Sequence, residues 1–140
     1  MANKNWYSVA FLRTEGLAIF VLAAYAYSGL WFSWIWFFVL LLLPDVSMMG
    51  YLINKKTGAV VYNLGHSLTL PIILLFITAL INEQYFSYFG TYLDTLIEMI
   101  PAFAVIWVAH IGMDRALGFG LKTSEGFEHT HLGKIGKSPR

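Results

Sequence analysis

A histidine and an aspartate four residues apart are the clearest chemical signal in the sequence. His110 and Asp114 stand in the strongly apolar run from Trp107 to Arg115. Residues i and i+4 of a helix lie on one face, so the imidazole and the carboxylate are predicted to project side by side. Ionisable groups are expensive inside a membrane and usually mark function there. The pair therefore indicates a functional site near the end of a membrane helix.

Three further carboxylate or imidazole side chains stand in the other apolar segments of the chain. They are Glu15 in the first segment, Asp45 in the second and His66 in the third. The depth of each residue below the membrane surface follows from its distance along the helix from the predicted cytoplasmic end, at about 1.5 Å per residue. These residues and the pair in the fourth segment all fall roughly 5–12 Å below the membrane surface. The sequence therefore predicts one polar cluster, to which each of four helices contributes.

Metal binding is the simplest chemistry that collects two imidazoles and two or three carboxylates. Neutral histidine nitrogens and carboxylate oxygens suit zinc, iron or manganese, and helix bundles often hold such sites in their cores. The predicted ligands of a divalent metal are Asp45, His66, His110 and Asp114. Glu15 is predicted to be a further ligand or the catalytic general base. A metal with an open coordination position would activate water for hydrolysis.

The polar tail after the last apolar segment adds two histidines. His129 and His131 are two residues apart, which suits an extended segment that folds under the bundle and supplies ligands. Both are therefore candidate metal ligands. Arg115 and Lys122 could bind an anionic group near the site, but the preference for positive charge on the cytoplasmic side explains them equally well.

Each member of the predicted cluster also has a purely structural explanation. His110 and Asp114 could share a hydrogen bond within their helix, and His66 could be satisfied by a neighbouring carbonyl. Asp45 could cap a helix end. Glu15 could take part in an ion pair at the membrane interface. These explanations stay open beside the metal site.

The helices that must position these residues follow from composition. The chain has 140 residues, of which 58% are hydrophobic and 12% charged, about half the charged fraction of an ordinary soluble domain. Four apolar segments approach or exceed the ~20 residues needed to cross the hydrocarbon, at roughly residues 9–27, 30–52, 59–81 and 91–117. The predicted fold class is an all-α, four-helix transmembrane bundle. Residues 1–117 form the predicted membrane domain, and residues 118–140 form a predicted cytoplasmic tail.

The placement of lysine and arginine predicts the orientation of the bundle. Basic residues flank the first segment, occupy the loop at residues 54–58 and recur in the tail, whereas the other two connections have none. Both termini are therefore predicted to face the cytoplasm, in a multi-pass protein of the cytoplasmic (inner) membrane. The net charge of +1 gives no case for nucleic-acid binding, and the absence of cysteine excludes thiolate ligands and a cysteine nucleophile.

Four short motifs are distributed along nearly the whole chain. They are Leu43-Pro44-Asp45, Tyr62-Asn63-Leu64-Gly65-His66, the run from His110 to Gly118, and Thr130-His131-Leu132-Gly133. Together they resemble a small bacterial integral-membrane family of unknown function, termed DUF4260. The resemblance implies a four-helix membrane protein and no established activity.

A second resemblance is carried by three shorter matches. Pro44-Asp45, His66-Ser67 and the His110/Asp114 pair are similar to the Pro-Asp, His-Ser and His-x-x-x-Asp motifs of the YdjM-like membrane-bound metal-dependent hydrolases. Zinc-dependent phospholipase C and the P1-type nucleases have a similar order of ligands. This chain lacks their second His-x-x-x-Glu pair, so the resemblance implies one or two metals at most.

The function predicted from the sequence is a membrane-embedded, metal-dependent hydrolase. Its site would lie near the cytoplasmic face and act on a lipid or phosphoester substrate. Three alternatives stay open. His66 and His110 could be the axial ligands of a b-type haem, because they stand on different spans at matching depth. The cluster could also serve a small proton-linked transporter, or it could be purely structural.

Overall fold

The protein is a helical bundle with four candidate membrane spans. The computed structural model describes residues 6–85, 91–131 and 133–135, with side chains except those of residues 6, 82–98 and 133. Within these residues, four segments are long and apolar enough to cross a membrane, as a multi-pass membrane protein requires. They are Tyr7–Ser28, Trp34–Leu52, Lys55–Ile81 and Met99–Leu117. The predicted all-α, four-helix membrane fold is confirmed.

The first and last spans are continuous helices. Helix α1 spans Trp6–Ser28, and the last helix of the bundle, α5, spans Thr91–Leu117. A short antiparallel ribbon follows in the tail, formed by β1, His129–Thr130, and β2, Gly133–Lys134. Residues 136–140, the end of the predicted tail, lie outside the described residues.

The second and third spans are each interrupted, whereas the sequence predicts a continuous second span and a third span that is kinked at Pro71. The second span consists of α2, Trp34–Leu41, and a 3₁₀ helix, η1, Leu43–Leu52. The third span consists of α3, Lys55–His66, and α4, Thr69–Tyr85. Each interruption ends a helix inside an apolar segment, and each lies next to a residue of the predicted cluster.

Proline explains where the interruptions fall. Pro71 lacks the N–H that would bond to the carbonyl of Ser67, and its ring would clash with that carbonyl in a continuous helix. Helix α3 therefore ends at His66, Ser67 adopts extended backbone angles (φ −91°, ψ 144°), and α4 begins at Thr69. Pro44 follows the end of α2 in the same way and opens η1.

Helix α5 is the centre of the bundle and contacts α1, α2, α4 and η1. Its closest neighbour is α1, which runs antiparallel to it. A Cβ atom on Gly16 would lie 2.5 Å from the backbone nitrogen of Ala116, and one on Gly112 would lie 2.6 Å from the backbone nitrogen of Phe20. Small residues let helix backbones approach this closely, and close packing is what associates helices in a membrane.

A second glycine contact joins η1 to α3 in a tight hairpin. A Cβ atom on Gly65 would lie 2.8 Å from Oγ of Ser47, so the start of η1 lies beside the end of α3. Asp45 and His66 stand at these two ends. The hairpin therefore brings together two residues that are 21 positions apart in the sequence.

The chain reverses direction at the end of α5 through a glycine cap. Gly118 has a φ of +93°, in the left-handed region that favours glycine. The N–H of Gly118 donates to the carbonyl of Arg115 (3.0 Å), and the N–H of Phe119 donates to the carbonyl of Asp114 (2.8 Å). These two bonds form a Schellman motif, which turns the tail back toward the bundle.

The antiparallel contact between α1 and α5 places the start of α1 and the end of α5 at the same end of the bundle. This arrangement is the one that the predicted topology requires. The side of the membrane that this end faces stays a prediction.

Substitution of Gly112 tests the close contact between α1 and α5. Gly112→Ala is expected to destabilise the protein by at least about 1–3 kcal/mol, because its new methyl group meets helix backbone rather than a movable side chain. Thermal unfolding in detergent, followed by circular dichroism, measures the change. Gly29→Ala is the matched control, since the nearest heavy atom to its Cβ is 3.5 Å away. Equal unfolding temperatures for the two variants would contradict this packing.

Candidate metal centre

Four ionisable side chains meet where α3 ends and η1 begins. They are Asp45 on η1, His66 on α3, and His110 and Asp114 on α5. One ligand atom of each lies within 4.8 Å of that of every other. The two histidines and Asp114 are buried, whereas Asp45 is partly exposed. The structure thus brings together the four residues that the sequence analysis predicted as the principal ligands.

The distances within this cluster fit a single coordination shell. The Nε2 atoms of His66 and His110 are 3.0 Å apart. Oδ1 of Asp45 lies 3.4 Å and 3.7 Å from these two nitrogens, and Oδ2 of Asp114 lies 3.4 Å and 3.9 Å from them. Ligands of a tetrahedral zinc ion, each about 2.0–2.1 Å from the metal, are about 3.3 Å from one another. The four donor atoms could therefore hold one metal ion.

A hydrogen bond sets the orientation of His66. Its Nδ1 lies 3.0 Å from the carbonyl oxygen of Tyr62 and 3.4 Å from Oγ of Ser47. Because a carbonyl only accepts, Nδ1 carries the proton, and the lone pair stays on Nε2, which faces the cluster. This hydrogen bond satisfies Nδ1 as the structural explanation of His66 requires. It is also the bond that a metal-binding imidazole usually makes with its other nitrogen.

His110 lacks such a partner. Its Nδ1 is buried and has no hydrogen-bond partner within the described part of the chain. Because the proton of His66 is on Nδ1, the 3.0 Å contact between the two Nε2 atoms is a hydrogen bond in which Nε2–H of His110 donates. A cation bound between these nitrogens would displace that proton, and His110 would then carry its proton on the unpartnered Nδ1. Among the residues that the structure describes, the close contacts of His110 with other polar groups are made by Nε2, which is directed at the cluster.

Tyr62 supports two of the four residues. Its ring stacks on the imidazole of His66, with ring centres 3.7 Å apart and planes inclined by 12°. Its hydroxyl donates to Oδ2 of Asp114 at 3.2 Å. This role of Tyr62 was not predicted, although Tyr62 stands four positions before His66 and therefore on the same helix face. Trp107 fixes the end of α3, because its Nε1 donates to the carbonyl of Gly65 at 2.6 Å.

The tail is fastened to α3 by a pair of hydrogen bonds. Asn63 donates from Nδ2 to the carbonyl of Lys122 (2.9 Å) and accepts at Oδ1 from the N–H of Lys122 (2.7 Å). The ammonium of Lys122 lies 5.1 Å from the ring centre of Tyr62 and 4.1 Å from that of Phe127. Burial lowers the pKa of Lys122 from its ordinary value, and the negative charge of Asp114 opposes this effect.

The tail leaves little space beside the cluster. A cavity of about 10 Å³ next to His66 and Asp114 is bounded on the other side by tail residues from Phe119 to Leu121. This volume has room for about one water molecule. The tail therefore closes this side of the cluster to anything larger.

Glu15, which the sequence analysis predicted as ligand or general base, lies outside the cluster. The buried face of α1 passes through Gly16 and Ala23, whereas Glu15 is exposed. Its neighbour Arg13 donates from Nε to the carbonyl of Ala116 at the end of α5 (2.8 Å). The rotation of α1 that puts glycine against α5 therefore turns the carboxylate of Glu15 away from the other four residues.

The tail histidines also lie outside the cluster. Nδ1 of His131 accepts from the N–H of Leu121 at 2.9 Å. Nε2 of His129 lies 3.9 Å from Oε2 of Glu125. The tail is held against α3 through Asn63, but these two side chains are engaged within the tail itself.

Comparison with known proteins gives a family. A family model described as "Domain of unknown function (DUF4260)" matches residues 9–135. This range includes all four residues of the cluster and the tail that closes it. No protein of curated function and no solved structure matches the chain.

Removal of the Asn63 side chain tests the attachment of the tail. Asn63→Ala leaves both backbone groups of Lys122 without their partner, at about 0.5–1.5 kcal/mol for each hydrogen bond. Tryptic cleavage after Lys122 is therefore expected to accelerate about tenfold, as measured by mass spectrometry of timed digests. Ser124→Ala, at an exposed tail position, is the control and should be cleaved like the wild type. Cleavage of Asn63→Ala at the wild-type rate would show that this attachment contributes nothing.

Proposed function

Because the chain belongs to the DUF4260 family of unknown function, we propose its activity from its own chemistry: it is a metal-dependent hydrolase embedded in the cytoplasmic membrane. The observation that carries the proposal is the convergence of two imidazoles and two carboxylates inside an apolar bundle. Buried charges are costly in a membrane and are expected to be neutralised there. One divalent cation would neutralise both carboxylates and engage both imidazoles.

The proposed roles of the four cluster residues follow from the exposure of their side chains. His66, His110 and Asp114 are 4%, 0% and 12% exposed, and Asp45 is 33% exposed. Two histidines and one carboxylate are a common ligand set of catalytic zinc, whose fourth position is kept for water or substrate. We assign His66, His110 and Asp114 as the metal ligands. Asp45 would lie beside the fourth coordination position, which water or substrate would occupy. Asp45 thereby takes the role of general base that the sequence analysis gave to Glu15.

The proposed reaction is hydrolysis of an ester or phosphoester. The bound metal would act as a Lewis acid and lower the pKa of water. The oxygen of water forms a bond to the acyl carbon or phosphorus, and the bond from that atom to the alcohol oxygen breaks. Asp45 accepts the proton of the attacking water and delivers it to the departing alkoxide. His66 is held in its productive orientation by the carbonyl of Tyr62.

The geometry does not favour the haem alternative. A porphyrin would have to lie between the Nε2 atoms of His66 and His110, which are 3.0 Å apart. Carboxylate oxygens of Asp45 and Asp114 approach the same two nitrogens within 3.9 Å. The space that a haem would need between its axial ligands is therefore taken.

One feature supports a proton-linked transporter as the second candidate. The second and third spans are interrupted at Leu42 and at Ser67-Leu68, next to the cluster. Interrupted helices line the substrate and ion sites of many transporters. In such a protein, Asp45 would exchange protons in a cavity that opens to alternate sides, and no bound metal would be required.

Metal analysis tests the proposed function and separates it from the transporter. Wild-type protein purified from zinc-supplemented cells is expected to hold about one divalent ion per chain. Asp114→Asn, which keeps the shape of the side chain but removes its charge, is expected to reduce the metal content about tenfold after dialysis. His131→Ala removes a histidine outside the cluster and should retain the wild-type content. Absence of metal from the wild type, or equal content in Asp114→Asn, would refute the hydrolase.

Substitution of Asp45 tests its role as general base. Asp45→Asn is expected to retain the metal and to lose about 10²–10⁴-fold in hydrolysis, since proton transfer contributes a factor of that size. The assay follows release of p-nitrophenol from nitrophenyl esters and phosphodiesters in detergent. Glu128→Gln, a substitution at an exposed tail position, is the control. Full hydrolysis by Asp45→Asn, or loss of metal together with hydrolysis, would contradict the role assigned to Asp45.

A further inference from the structure

An apolar groove runs along α5 between α2 and α4. These two helices both pack on α5 and scarcely contact each other. The cavity beside α2 has a volume of about 390 Å³, within the ~300–1,000 Å³ usual for small-molecule sites. Leu40, Met99 and Phe103 line this cavity and also line a second, of about 560 Å³, which reaches Leu74 on α4. The two cavities are therefore parts of one groove.

The lining of the groove is suited to hydrocarbon. Apart from the tips of Tyr27 and Trp36, the side chains that line it are aliphatic or carry an all-carbon ring, or a thioether in the case of methionine. The hydroxyl of Tyr27 already donates to the carbonyl of Ser33 at 2.9 Å. A polar group in the groove would lose its hydrogen bonds to water and find almost no replacement, whereas an alkyl chain has no such cost.

Both walls of the groove lead to residues of the cluster. Ile106 lines the groove on α5 and stands one turn before His110, about 6 Å away along the helix axis. Leu40 lines it near the end of α2, and the chain then passes into η1 and reaches Asp45. Asp45 is also the most exposed of the four side chains. A chain in the groove would therefore direct its polar end toward the accessible carboxylate.

We propose that this groove binds the acyl chain of a membrane lipid and that the substrate is an amphiphile with its ester or phosphoester bond close to that chain. The segments that form the groove belong to candidate membrane spans, so the surrounding bilayer supplies such chains at its mouth. The groove positions the scissile bond by holding the chain beside it. The assignment of substrate class rests on the proposed hydrolase, whereas binding of the chain does not require the metal.

Filling the groove tests the inference without an activity measurement. Palmitate is the probe, and native mass spectrometry of the full chain released from detergent measures how much is retained. Leu40→Trp places a bulky ring where the two cavities join and is expected to retain palmitate about tenfold less well than the wild type. Val39→Trp is the matched control, because Val39 is the preceding residue, is 59% exposed and does not line the groove. Thermal unfolding of the same samples, followed by circular dichroism, confirms that each variant has folded, and their metal content is measured alongside.

The possible outcomes test the acyl-chain site separately from the proposed hydrolase activity. Retention of palmitate by Leu40→Trp at the wild-type level, or equal loss in Val39→Trp, would overturn the inference. A dimer that excludes palmitate, and that Leu40→Trp dissociates, would assign the groove to a second copy of the chain and also overturn it. Palmitate bound in the groove of a wild-type protein that contains no metal would refute the hydrolase and its substrate class, while the acyl-chain site would stand.

Discussion

Ionisable groups inside an apolar bundle must compensate one another, and the arrangement of this protein follows from that requirement. A single carboxylate or imidazole inside the bundle would have a large desolvation free energy that no interaction compensates. Four such groups whose donor atoms lie within 4.8 Å share the cost and create a place for a cation. The hydroxyl of Tyr62 and the carbonyl that orients His66 satisfy further bonding positions. The helices are arranged so that these groups can meet.

Glycine contacts and interrupted spans bring the four ionisable groups of the cluster together. The contact of Gly16 and Gly112 brings α1 and α5 close together, and the contact of Gly65 with Ser47 aligns the ends of η1 and α3. Because α3 stops at His66, the imidazole stands at a helix end and is not confined to a continuous helical surface. Backbone groups left open by the interruption are partly satisfied from α5, as the indole of Trp107 does for the carbonyl of Gly65. Close packing and helix termination thus act together to build the cluster.

The four spans and the four-residue cluster could be predicted because both depend on patterns that are visible in the sequence itself. Apolar length predicts a span, and the spacing of His110 and Asp114 predicts a shared face. The rotation of α1 is different, since it depends on which residue touches α5, and this is why Glu15 was predicted inside and lies outside. Pro71 predicts a kink in the third span, but the complete break before it is not evident from the sequence, because the residues around it are as apolar as a continuous span. The bonds of His131 within the tail depend on strand pairing that no local pattern encodes.

The order of the cluster residues along the chain has a consequence for biogenesis. Asp45 and His66 come from one compact hairpin, so their segment can form as soon as it leaves the ribosome, whereas His110 and Asp114 arrive only with the last helix. The four-residue cluster is therefore complete only after translation has passed the final span and that span has packed against the hairpin. A chain that terminates before the last helix contains only Asp45 and His66 of the cluster.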